Sequence, residues 1–164
     1  MSLPDSSSFR TRPFFQGVMA IMPLSIAVIP WGILAGSMAV NAGLSFAKAF
    51  AMSSLVFAGA AQLVSLSLVM EGASTLTILI TIFFLTSQHF IYALTFRNNI
   101  SVLPVKQRLP LGFLLTDELF AVSLSPEKRH PDYMLGAGLC FYLFWVVFSA
   151  VSYTHLTLPT TDRV

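Results

Sequence analysis

The chain has 164 residues, 55% hydrophobic and only 10% charged, with net charge +2 and mean hydropathy +0.78. A soluble domain carries roughly a quarter charged residues, so this chain cannot cover a water-facing surface and reads as an all-α, polytopic helical membrane protein in a lipid bilayer. The small positive charge excludes a nucleic-acid partner, and a lone Cys140 excludes a disulfide framework and a thiolate metal site.

Residues 1–13 are expected to be a polar, Ser-rich tail ending near Arg10 and Arg12. It lacks the apolar core and small-residue cleavage site of a signal peptide. Five apolar runs follow, near 14–40, 46–70, 73–96, 109–125 and 133–151, separated by polar turns. The first contains Pro23 and Pro30. Each proline removes a backbone donor and crowds the preceding turn. In lipid, carbonyls freed this way must be satisfied by protein or by a water-lined cavity. The run is therefore either a kinked helix or a broken helix lining a substrate site. The second run opens at Lys48 and centres on Phe57-Ala58-Gly59-Ala60-Ala61-Gln62. Small residues let helices approach closely. Gln62 is either a bond between helices or a substrate-facing group beside a thin wall at Gly59.

Polar groups interrupt the third run at Gln88, His89 and Tyr92, whose three- and four-residue spacings put them on one helix face. Histidine as a residue type exchanges protons near neutral pH. Ionisable groups within membrane spans tend to line pathways, although an interfacial His–Tyr pair is the plainer alternative. The fourth run is marginal for a crossing and holds Asp117 and Glu118. Thr116 is placed to cap a helix there, with both carboxylates in its first turn. The alternative is a buried carboxylate that takes up a proton or pairs with a substrate ammonium. Adjacent carboxylates diverge by about 100° around a helix, so only one is expected to face a given partner.

Arg97, Lys106 and Arg108 mark the loop after the third run as cytoplasmic, and Arg10 and Arg12 mark the N-terminus the same way. Three full crossings between them would put the two on opposite sides, so one of these assignments must yield. After residue 151 the character changes. Residues 152–164 are Thr-rich and polar, and read like vector or adapter sequence translated in frame, which removes His155 as a site candidate.

Gly59-Ala60-Ala61-Gln62, Gln88-His89-Phe90-Ile91-Tyr92 and Leu115-Thr116-Asp117-Glu118-Leu119-Phe120, in this order and spacing, resemble the AzlC family. The resemblance covers about residues 14–151 and includes the Pro-rich opening. It departs from the family pattern at Gln88, where an arginine is usual, and at Thr86, where Asp or Asn is common. It implies the large subunit of an exporter of branched-chain amino acids in the bacterial inner membrane. It also implies a small membrane partner of the AzlD type and further spans beyond this stretch. The expected substrate or coupling residues are Pro23, Pro30, Gly59, Gln62, Gln88, His89, Tyr92, Asp117 and Glu118. A pure assembly subunit is the second reading. A membrane enzyme using His89 with Asp117 or Glu118 is the third. It has no metal-ligand spacing and no serine-nucleophile motif behind it, so no catalytic residue, metal or cofactor is expected.

Overall fold

A computed structural model describes residues 13–157. The polar tail, save Pro13, lies outside these residues, as do residues 158–164. The described residues form nine α-helices, one short 3-10 turn at Pro126–Lys128 and no strand. The protein is an all-α, helical membrane protein whose apolar runs are mostly broken in two.

The first run is α1 (Pro13–Ala27) and α2 (Ile29–Asn41), bent by 53° at Val28. Pro30 causes the break. It sits in the first turn of α2, where its missing N–H costs little, while its ring crowds the turn before it. Pro23 lies inside α1 without interrupting it, so only one of the two prolines marks the discontinuity.

The second run is α3 (Phe46–Leu55) and α4 (Gly59–Met70), with residues 56–58 between them. Phe57 there has φ +34°, a conformation that L-residues rarely adopt. The third run is α5 (Thr75–Thr86) and α6 (Gln88–Ile100), parted only at Ser87. Ser74 caps α5, accepting from the Thr77 N–H at 3.2 Å. Together α5 and α6 form a 26-residue apolar span, and α5 buries none of its residues against the rest of the protein.

The fourth run is no crossing helix. It divides into the end of α7 (Val105–Phe113) and the six-residue α8 (Asp117–Val122). The fifth is α9 (Pro131–Thr157), the longest helix, and it runs six residues past the expected end at 151. The first two of those residues, Ser152 and Tyr153, are buried against the rest of the protein. The Ser152 hydroxyl donates to the Ile33 carbonyl at 2.8 Å, and the Tyr153 hydroxyl donates to the Leu44 carbonyl at 2.5 Å.

By length and composition, α5–α6 and α9 are each long and apolar enough for a crossing, and the bent α1–α2 pair is a third if it forms one span.

The core is built around α9, against which α1 and α2 pack most closely. Glycines allow the approach. A Cβ on Gly17 would lie 2.0 Å from the Tyr133 carbonyl oxygen, one on Gly136 2.1 Å from that of Phe14, and one on Gly36 2.3 Å from that of Ser149. In lipid, such close backbone packing replaces the hydrophobic drive that joins helices in water. Ile21, Phe96, Leu111, Leu119 and Met134 are fully buried around this seam.

Candidate functional site

A cavity of about 290 Å³ lies where four helices begin. The start of α2 contributes Val28 and Trp31. The start of α4 contributes Gly59, Ala60 and Ala61, preceded by Phe57 and Ala58. The end of α5 and start of α6 contribute Leu85, Thr86, Gln88 and His89. The cap and first turn of α8 contribute Thr116, Asp117 and Glu118. Phe141 and Trp145 from the middle of α9 complete the wall with Leu63. The break at Val28 and the link residues Phe57 and Ala58 thus share one cavity.

Asp117 is exposed and Glu118 half-buried. Among the described residues, the one ion pair joins His130 and Asp132, so neither cavity carboxylate is paired with a basic side chain. The Thr116 hydroxyl accepts from the Leu119 N–H at 3.4 Å and fixes the start of α8. The His89 ring lies with Nδ1 3.0 Å from the Thr86 carbonyl. Where Nδ1 carries the proton and donates there, Nε2 is left as an acceptor. α4 starts at Ala58 with no side-chain cap. Its first-turn N–H groups lie outside the intrahelical ladder and at the positive end of the helix dipole. The aromatic side chains of Phe57, Trp31, Phe141 and Trp145 line the same cavity.

Of the residues expected from the sequence, Gly59, Gln88, His89, Asp117 and Glu118 meet at this cavity. Pro23 and Pro30 do not line it, and Pro30 acts by setting the bend at Val28. Gln62 does not reach it either. It is 1% exposed, and its side-chain amide donates to the Ser53 hydroxyl at 2.8 Å, joining α4 to α3. Tyr92 sits behind His89. The two rings meet edge to face at 5.7 Å, and Tyr92 stacks on Phe120 at 4.4 Å. Both carboxylates reach the cavity from the first turn of α8.

The aromatic walls were missed. Trp31 and Trp145 are the chain's two tryptophans, and both line the cavity. The Gly59–Trp145 contact is close, since a Cβ on Gly59 would lie 3.1 Å from the indole ring. The one available signal was Trp31 following Pro30 directly.

A family model described as AzlC protein matches residues 23–157. The chain is 33% identical over 147 residues to an uncharacterized membrane protein of Archaeoglobus fulgidus, covering 88% of this chain and 61% of that one. It is 27% identical over 139 residues to the inner membrane protein YgaZ of Escherichia coli, covering 81% and 57%. An uncharacterized membrane protein of Helicobacter pylori is 30% identical over 125 residues, covering 73% and 54%. The chain thus spans between about half and three-fifths of the length of these curated relatives. No solved structure matches.

Proposed function

Since the chain belongs to the AzlC family, matched from residue 23 to residue 157, we propose that it forms the substrate-binding part of a multi-pass inner-membrane exporter of branched-chain amino acids. Coupling to protons or another ion, and action with a small AzlD-type membrane subunit, belong to the same proposal. The observation that carries it is the composition of one cavity. A carboxylate pair, an imidazole, an uncapped helix start and an aromatic wall face the same 290 Å³ space.

A zwitterionic amino acid with an apolar side chain needs an acceptor for its ammonium, donors for its carboxylate and an apolar place for the rest. Asp117 and Glu118 supply the first. The first-turn N–H groups of α4 supply the second, as helix starts do for anions. Trp31, Phe141 and Trp145 supply the third. His89 lines the same cavity, and histidine is the residue type suited to pass a proton.

The test uses the full-length gene product expressed with its small partner. Cells preloaded with valine or leucine are assayed for efflux across pH, with Asp117→Asn and Glu118→Gln made separately. A charge-assisted bond contributes about 1.5–3 kcal/mol, so at least one variant is expected to lose efflux by roughly tenfold or more and to change its pH profile. Normal efflux with an unchanged profile in both variants returns the carboxylates to helix capping. Loss of efflux only when the small partner is removed, with both variants active, supports an assembly subunit instead.

A further inference from the structure

A second cavity, of about 430 Å³, adjoins the first. Phe57, Ala58, Thr86 and His89 line both, and Ala93, Gly112 and Phe113 line the second alone. We propose that the two cavities are successive substrate chambers of one path, with Phe57 and His89 as the partition between them. The proposal rests on the reading of the first cavity as a site for a hydrophobic amino acid.

Phe57 carries most of the argument. It lies in the non-helical link between α3 and α4, so its ring can turn without displacing a helix. It is 5% exposed, and its φ of +34° is one that an L-residue keeps only where its surroundings impose it. Those surroundings are aromatic. Tyr142 meets it edge to face at 4.9 Å, Phe113 lies at 5.8 Å and Phe141 at 6.2 Å. Phe113 belongs to the second chamber and Phe141 to the first, so the ring is held from both sides of the wall. Release of those contacts lets the backbone relax toward ordinary φ and joins the two spaces. Non-glycine strain of this kind concentrates at gates and clamps.

The second chamber also lies on the expected side for entry. Ala93 is one helical turn from Arg97 on α6, and Gly112 and Phe113 close α7, which carries Lys106 and Arg108 in its first half. Arg97, Lys106 and Arg108 assign that side to the cytoplasm. A substrate bound for export therefore meets the mostly apolar second chamber first. It passes Phe57 to reach the chamber that holds Asp117 and Glu118.

The test places single thiols in the full-length gene product, with Cys140→Ser removing the one cysteine of this stretch and any cysteine beyond it likewise replaced by serine. Ala60→Cys reports the first chamber and Ala93→Cys the second. In inside-out vesicles, a charged membrane-impermeant thiol reagent is expected to modify the Ala93→Cys protein at least tenfold faster than the Ala60→Cys protein. Adding Phe57→Ala is expected to bring the Ala60→Cys rate up to the Ala93→Cys rate. If that variant does not insert, Phe57→Leu is used, which keeps an apolar side chain without the ring. Leucine is expected to slow modification at both positions. Equal rates with Phe57 in place, or no change in either Phe57 variant, overturns the partition. Protection by leucine at position 60 and not at position 93 overturns the second chamber and leaves the first intact. Protection at neither position overturns the amino-acid reading itself, and the substrate role of both chambers with it.

Discussion

Gly36→Ala tests whether the bend that shapes the cavity is held by backbone contact across α2 and α9. The added Cβ would lie 2.3 Å from the Ser149 carbonyl oxygen, 2.8 Å from the Ser152 Cβ and 2.9 Å from the Tyr153 nitrogen. The helices must part by about 0.7 Å before even the closest of these reaches 3.0 Å. Overpacking a tight site costs about 1–3 kcal/mol. The separation also stretches the Ser152 hydroxyl bond to the Ile33 carbonyl, and hydrogen bonds between membrane helices average about 0.6 kcal/mol. Alanine in place of a helical glycine returns about 0.5–1 kcal/mol, so the expected net loss is about 1–3 kcal/mol. The assay is reversible unfolding in mixed micelles at rising SDS fraction, followed by helical circular dichroism. Gly112→Ala serves as the control, because nothing lies within 4 Å of its added Cβ. In a helix that change is expected to stabilise by about 0.5–1 kcal/mol. A Gly36→Ala protein as stable as the parent, or one indistinguishable from Gly112→Ala, would refute close packing of α2 on α9 as what holds the bend that Pro30 sets.

Three further outcomes are expected. Ser53→Ala removes the hydroxyl that accepts from the buried Gln62 amide and should cost about 1–3 kcal/mol. Adding Gln62→Leu should recover most of that loss in the same unfolding assay, since no polar group then remains unpaired. Thr116→Ala removes the cap of α8 and should lose about 1 kcal/mol, with Thr116→Ser restoring it. Gly59→Ala presses a methyl group on the Trp145 ring at 3.1 Å. In a Trp31→Phe background it should shift the single remaining tryptophan emission, and an unchanged spectrum would mean the ring does not stand where the cavity requires it.

What the sequence revealed, and what it hid, follows from how far each signal reaches. Proline chemistry is local, so the break ahead of Pro30 was visible, but Pro23 carries the same chemistry and sits in an unbroken helix. Whether a lost backbone bond becomes a bend depends on what packs beside it. Here α9 grips the chain on both sides of Val28 through Gly17 and Gly36. Gln62 was visible as a polar group in need of a partner. Its partner, Ser53, lies nine residues back on a different helix, and nothing in the α4 sequence indicates that neighbour. Phe141 and Trp145 could not be singled out. In a run that is apolar all round, the residues facing a cavity look like those facing lipid. The end of α9 failed for the opposite reason. Polarity rises after residue 151, yet Ser152 and Tyr153 direct their hydroxyls at backbone carbonyls of α2 and the turn after it. A polar residue with a partner in place can continue a buried helix.

The Thr116-Asp117-Glu118 stretch joins two readings that the sequence set against each other. Capping was one alternative and a substrate carboxylate the other. The Thr116 hydroxyl does cap α8, and both carboxylates lie on the cavity. The cap is what makes the second possible. A carboxylate in the middle of a helix points sideways and is hidden or shown by what packs there. A carboxylate in the first turn stands at an open end, beside unpaired N–H groups whose dipole favours its charge. Neighbours about 100° apart can then face one space. Stability alone therefore cannot separate the two roles, since removing the cap loosens the site and removing a carboxylate loosens the cap. The discriminating pair is Thr116→Ser against Glu118→Gln. The first keeps the cap and both charges, and should leave stability and efflux near their parental values. The second keeps the helix and nearly the same shape but removes one charge. A loss of efflux in Glu118→Gln with unfolding unchanged would assign that charge to the substrate path, whereas equal losses of both would assign it to α8.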